Sequence, residues 1–249
     1  MHPVLIELGP ITIYSYGFFI AAAFLAGISR ATYEAKTYGL DYRLVSDAAF
    51  YVILTSIIGA RFFYILINPT YFAAHPLEML MFWKGGLVFS GGVIAGALGG
   101  AWYLRKKGQN LLSWLNVFAP ALALGQGIGR IGCLAAGCCY GKVCSLPWAI
   151  TFTDPRSLAP LHTTLHPTQL YHILAAWITF FILITCKNSF RTKGKLMGLF
   201  LVLFAVGRFT TEIFRADYRG YFGPISATQA VSVLAFLLGL RLLLRKAKR

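Results

Sequence analysis

Long apolar runs separated by short polar stretches dominate the chain. Seven of them approach the roughly 20 residues that a bilayer-crossing helix needs. They lie at residues 11–29, 46–67, 86–104, 111–136, 166–186, 196–216 and 226–244. None alternates apolar and polar positions as a membrane β-strand does. The pattern therefore predicts an all-α, polytopic membrane protein, a seven-transmembrane-helix bundle forming one integral membrane domain over residues 1–249. The fourth run is interrupted by Pro120, Gly125, Gly127, Gly129 and Gly132. Irregular backbone at membrane depth is tolerated only where it faces protein or a wet cavity, which draws attention to residues 120–141.

Composition agrees with that solvent. Hydrophobic residues make up 57% of the chain and charged ones 12%, whereas soluble domains carry about 25% charged residues. Mean hydropathy is +0.66. The net charge of +15 would suggest nucleic acid on a soluble domain. Here the basic residues sit in clusters between apolar runs, so they read as topology signals and no nucleic acid partner is expected. The first ten residues, MHPVLIELGP, lack the basic start of a cleavable signal peptide.

The clusters alternate. Arg30, Lys36 and Arg43 follow the first run, Arg105, Lys106 and Lys107 the third, and Lys187, Arg191, Lys193 and Lys195 the fifth. Arg241, Arg245, Lys246, Lys248 and Arg249 close the seventh. The opposite loops hold only Lys84, Lys142, Arg156 and Arg219. By the positive-inside rule the N-terminus is outside and the C-terminus cytoplasmic.

Arg61, Arg130, Arg208 and Arg215 fall inside the runs, where a charge is costly and usually functional. Arg215 also fits a side chain snorkelling from a helix end. At about 1.5 Å per residue, Arg61, Arg130, Arg208, Glu212, Tyr16 and Ser90 all fall in the outer half of the membrane. Buried guanidiniums at headgroup depth suggest an anionic, amphiphilic ligand, since the Arg fork suits phosphate. Glu212 stands at i+4 from Arg208 and i−3 from Arg215, on one helix face, which also fits a self-neutralising ion cluster.

Cys133, Cys138, Cys139 and Cys144 crowd one segment. Such spacing can serve zinc or a disulfide, yet adjacent Cys138 and Cys139 are poor geometry for either, and no His lies nearby. They read as small apolar fillers, and no metal or redox cofactor is expected. Gly125–Gly132 resembles a nucleotide loop only superficially, because no strand precedes it; its small residues allow close helix packing or let a headgroup approach the backbone. His166-Pro167-Thr168-Gln169 reads as a helix start.

In order and spacing, five motifs together resemble the bacterial prolipoprotein diacylglyceryl transferase family along nearly the whole chain. They are Tyr16-Gly17 with Gly59-Ala60-Arg61, Gly85 through Gly92, Gly129-Arg130-Ile131-Gly132 through Gly141, His166 through Tyr171, and Arg208-Phe209 with Glu212 and Phe214-Arg215. The resemblance implies seven helices, N-out and C-in, in the bacterial inner membrane. It implies transfer of diacylglyceryl from phosphatidylglycerol to the lipobox cysteine thiol of prolipoprotein signal peptides, giving a thioether and glycerol phosphate. Arg130 matches the family's phospholipid-binding Arg, Arg208 a second essential Arg, and Tyr16 a pocket tyrosine. Arg130, Arg208, Tyr16 and Glu212 are the catalytic candidates; Arg61, Ser90, Gly132 and Gly141 join Arg130 as substrate-binding candidates among membrane lipids.

The chain departs from the family within the site. Ser90 stands where well-studied members carry His; Cys133, Ala136 and Cys138 replace Asn, Asn and Glu; Phe204 replaces Tyr; His172 replaces Glu. The Gly-Cys-Cys-Tyr-Gly form is associated with a variant branch. Ser90 is too weak a base for a thiol of ordinary pKa near 8.5. Tyr16 ranks first as a positioning hydroxyl in a cationic field, ahead of Glu212 and of a proton relay through Cys138 and Cys139. The alternatives are a non-catalytic lipid- or lipoprotein-binding paralogue, suggested by the missing His, and an anionic-lipid transporter, which lacks the expected pair of repeated halves.

Overall fold

The computed structural model describes residues 2–9, 11–217, 221–222 and 225–245. Arg219, Lys246, Lys248 and Arg249 of the charge pattern lie outside them. The chain begins with β1 (Val4–Leu8) and β2 (Ile11–Tyr14), followed by α1 (Ser15–Thr37), α2 (Arg43–Ile67) and the short α3 (Pro69–Ala74). After two 3₁₀ turns come α4 (Phe89–Lys106), α5 (Leu111–Ala136), β3 (Ile150–Thr151), β4 (Thr164–Leu165), α6 (Thr168–Cys186) and α7 (Lys195–Glu212). Strands β5 (Tyr221–Phe222) and β6 (Ile225–Ser226) precede α8 (Ala227–Leu243).

The chain is mainly helical, and each apolar run carries one long helix. Helices α2, α5 and α6 are long and apolar enough to cross a bilayer by length and composition. Polarity is inverted relative to a soluble protein. Leu25, Phe50, Leu98 and Leu174 are exposed, while Glu34, Arg61, Asn116, Gln169, His172, Arg208 and Arg215 are buried. A membrane protein presents its apolar surface to lipid and keeps its polar groups inside.

Three boundaries differ from the apolar pattern. Residues 11–14, placed in the first helix by hydropathy, form β2 of an antiparallel hairpin with β1; Ile11, Thr12 and Ile13 are β-branched and Tyr14 is aromatic, residue types that favour strands. The helix starts at Ser15, whose N–H donates to Pro3 O at 2.9 Å. The interruption expected at Pro120 is absent, since α5 runs unbroken through Pro120 and its glycines. Helix α7, the sixth apolar run, ends at Glu212 rather than 216, because Arg215 leaves it to pair with Gly141.

The chain divides into two compact units, one of residues 35–114 and one of residues 1–34 with 115–249. In the first, α2 packs on α4 at glycine distance. A Cβ on Gly59 would lie 2.2 Å from Ala95 Cβ, and one on Gly91 2.7 Å from Gly59 O. Small residues permit such backbone approach in lipid, where dispersion drives helix association. In the second unit, Ala119 and Ala123 of α5, Phe180 and Leu183 of α6, and Leu196, Met197 and Phe200 of α7 form a buried core. Helix α8 packs on α7 where Gly198 and Gly239 meet.

Candidate functional site

Residues 137–144 are held in place from both sides. Gly141 pairs antiparallel with Arg215, and Val143 with Leu165. Lys142 N–H donates to Phe214 O at 2.8 Å, and His166 N–H to Lys142 O at 2.9 Å. A Cβ on Gly141 would lie 2.5 Å from His166 Cβ and 2.9 Å from Phe214 O. The crossing of three backbones accounts for glycine there.

The His166-Pro167-Thr168-Gln169 segment does more than start α6. Thr168 Oγ1 donates to Cys139 O at 2.6 Å and Gln169 Nε2 to Cys138 O at 2.9 Å. Both side chains are fully buried, so these bonds fix the two peptide carbonyls of the cysteine pair. Cys139 itself is left-handed, at φ 62°, a conformation unusual for a residue with a Cβ. Successive side chains of an extended chain point to opposite faces; the kink breaks that alternation. The sulfurs of Cys133, Cys138 and Cys139 consequently lie within 4.8 Å of one another. The cysteines that read as fillers form a cluster, and it is the group among the described residues that could hold a metal ion. Cys144 stands apart, its N–H on Thr164 O at 3.1 Å.

Arg130, in the last two turns of α5, points into this cluster. Its Nη1 lies 3.6 Å from Cys139 Sγ and 4.0 Å from Cys133 Sγ. Hydrogen bonds from the Cys133 and Cys138 thiols, then the Arg215 and Arg130 guanidiniums, hold the Cys139 thiol below the ordinary cysteine range. Hydrogen bonding to Cys133 and Cys139, with burial, pushes Cys138 up. Tyr16 lies in the first turn of α1. A Cβ on Gly132 would sit 3.0 Å from Phe19 Cβ and 3.4 Å from Tyr16 Cα, so Gly132 brings α1 against α5 beside the cluster.

Arg208 forms the other wall. Its Nη1 lies 2.8 Å from His172 Nε2, and its Nη2 3.3 Å from Glu212 Oε2. The same carboxylate is 3.7 Å from Arg215 Nε, and its Oε1 accepts from Ser226 Oγ at 3.3 Å. Arg215 is clamped by Asp217, with Nη2 2.6 Å from Oδ2. It is buried rather than snorkelling, which corrects one of its two sequence readings; its charge is matched inside the protein. Arg130, Arg208, His172, Gln126, Thr179 and Phe204 are among the residues lining one cavity of about 30 Å³, enough for about one or two ordered waters.

Arg61 and Ser90 belong to the other unit. Arg61 is buried and donates to four main-chain carbonyls: Met79 O at 3.0 Å, Gly85 O at 2.7 Å, Gly86 O at 3.3 Å, and Glu78 O. It lies over the Phe72 ring at 5.3 Å. Those bonds tie residues 78–86 to α2. Ser90 is exposed in the first turn of α4. The sequence names His172 only as a departure from the family and gives Thr168, Gln169 and Asp217 no role of their own in the site. An ionisable residue within an apolar run is a functional candidate by default; extending that rule from Arg to His would have found His172.

Buried guanidiniums around a cavity, in a helical chain with an apolar exterior, define a membrane protein. A profile of the prolipoprotein diacylglyceryl transferase family matches residues 3–245, and the chain belongs to that family. It is 34% identical over 240 residues to the phosphatidylglycerol–prolipoprotein diacylglyceryl transferase of Clostridium tetani, covering 96% of each chain. The enzyme of the same name from Bordetella avium is 34% identical over 255 residues, covering 99% of this chain and 95% of its own. The second such transferase of Clostridium perfringens is 32% identical over 242 residues, covering 97% and 94%.

Proposed function

We infer that this chain transfers diacylglyceryl from phosphatidylglycerol to the cysteine thiol of prolipoproteins, leaving a thioether and glycerol phosphate. Full-length similarity to enzymes named for that reaction carries the reading, and the shared Arg130–Arg208 cavity supports it. The lipid phosphate is bound at the Arg130 and Arg208 guanidiniums, whose planar forks donate in pairs to phosphate oxygens. The acceptor sulfur attacks the glyceryl carbon esterified to phosphate, the C–O bond breaks, and its electron pair leaves on the phosphate oxygen. Preorganised donors stabilise that growing charge. Glu212 and His172 hold Arg208 in position, and Tyr16 lines the cluster side. Arg61 organises residues 78–86, and Gly132 and Gly141 set the backbone approaches around the site. Ser90 is kept as a substrate-binding candidate on the family resemblance.

The chain works as a single seven-span, multi-pass domain of the bacterial inner membrane, N-terminus outside and C-terminus cytoplasmic. The alternation of basic loops supports this orientation. Cysteine accessibility tests it: probes placed in residues 145–163 react from outside, and reaction from the cytoplasm alone overturns it. Function is tested in cells depleted of their own transferase, by following prolipoprotein mass. Restored diacylglyceryl addition supports the enzyme; binding without a mass shift supports a non-catalytic paralogue.

A further inference from the structure

The reaction needs its acceptor cysteine as a thiolate, yet a thiol of pKa near 8.5 is only a few per cent ionised at neutral pH. The bases on the Arg208 side are committed elsewhere. His172 accepts from Arg208 at 2.8 Å, and Glu212 lies between Arg208 and Arg215. What the chain places at the site instead is three cysteine sulfurs within 4.8 Å of one another.

We propose that Cys133, Cys138 and Cys139 bind a zinc ion whose fourth position takes the acceptor thiol as a thiolate. This rests on the thiol-alkylation reading above and extends it. Zinc–thiolate bonds of about 2.3 Å in a tetrahedron set sulfurs roughly 3.8 Å apart, a closure of about 1 Å at most from the mutual spacing here. Structural zinc sites are closed by four protein ligands, whereas catalytic sites use three and leave one position open. Among the described residues this group holds three.

The surroundings suit such a site. Three thiolates and one divalent ion carry one surplus negative charge, and Arg130 stands 3.6 Å from Cys139 Sγ and 4.0 Å from Cys133 Sγ to offset it. The carbonyls of Cys138 and Cys139 are pinned by Gln169 and Thr168, as outer-shell groups pin ligands in metal sites. The left-handed Cys139 is a local strain of the kind retained at functional sites, and here it turns adjacent sulfurs toward one point.

A thiol bound at the open position is deprotonated outright by the ion, its proton leaving to solvent. The sulfur pair then forms the S–C bond as the C–O bond breaks, and the leaving phosphate takes the electrons beside Arg130 and Arg208. No oxidation state changes. The thioether product is uncharged and binds the ion more weakly than a thiolate, so it leaves and the open position returns.

The test uses the whole protein purified in detergent. After chelation, it is titrated with zinc, then with cobalt(II), whose thiolate charge-transfer and tetrahedral d–d absorptions report the ligand set. The proposal predicts about one metal ion per chain, loss of those absorptions in Cys133→Ser and Cys139→Ser, and a change in the cobalt spectrum when a cysteine-containing lipobox peptide is added but not its serine analogue. It also predicts that chelation lowers diacylglyceryl transfer about tenfold or more, restored by zinc. Full transfer by the metal-free protein, or no tight metal, overturns the zinc site and leaves the transferase reading standing. Stoichiometric zinc answering to the peptide thiol, with no transfer from phosphatidylglycerol, supports the site and overturns the transferase reading.

Discussion

Arg208 Nη1 donates to His172 Nε2 at 2.8 Å inside the protein. The imidazole can accept there only as the neutral ring, and its partner on the other side is Thr211 Oγ1 at 3.2 Å, which itself donates to Gly207 O. The pair links α6 to α7 across 36 positions of sequence and aims a cation at the cavity. His172 therefore positions Arg208. His172→Leu removes an acceptor from a charged donor, an interaction worth about 1.5–3 kcal/mol. The expected result is a fall of about tenfold or more in transfer, with His172→Gln recovering part of it through its amide oxygen. An unchanged KM for phosphatidylglycerol and unchanged kcat in His172→Leu would contradict this role.

Arg130 serves two partners, the cavity and the sulfur cluster. Arg130→Lys keeps the charge but loses the fork, so transfer should fall about tenfold or more while membrane insertion stays normal. Near-normal transfer by Arg130→Ala would remove the residue from the reaction.

Gln169→Leu leaves the Cys138 carbonyl without its donor at a buried site. The cost is about 1–3 kcal/mol, read as a lowered melting temperature in detergent together with reduced transfer. A loss of stability without any loss of transfer would detach the loop's order from the chemistry.

Arg61 gives a contrasting case. Its donors end on carbonyls of residues 78–86, so Arg61→Ala should lower stability by about 3 kcal/mol and change the KM for phosphatidylglycerol little in protein that folds. A large KM effect at unchanged stability would instead make it a lipid ligand, as the sequence expects. Gly91→Ala, which drives a methyl against Phe63 and Gly59 O at 2.6 and 2.7 Å, should cost about 1–3 kcal/mol by overpacking.

Seven long helices follow the seven apolar runs because continuous apolar length is a local property of sequence, and three of them are long and apolar enough to cross a bilayer. The i, i+4 pair of Arg208 and Glu212 is legible for the same reason, as both residues sit on one helix face. The cysteine cluster is not local. Adjacent Cys138 and Cys139 look incompatible until the left-handed backbone at 139 turns them together, and that turn depends on Thr168 and Gln169 thirty residues away. The β1–β2 hairpin escaped notice because Ile11 and Ile13 are apolar as well as β-branched, so hydropathy joined the segment to α1. Arg215 looked like a helix-end cation because Asp217, its partner, lies beyond the helix.

The most direct measurement of thiol alkylation uses purified protein, phosphatidylglycerol labelled in its acyl chains, and a synthetic lipobox peptide. Intact mass of the peptide shows whether diacylglyceryl has been added, and the released glycerol phosphate is counted alongside. The expected result is one diacylglyceryl per cysteine peptide, bound by a thioether stable to thiol reductants, with matching glycerol phosphate release and none from the serine peptide. An unmodified cysteine peptide, with phosphatidylglycerol intact and the protein folded and zinc-loaded, would contradict it.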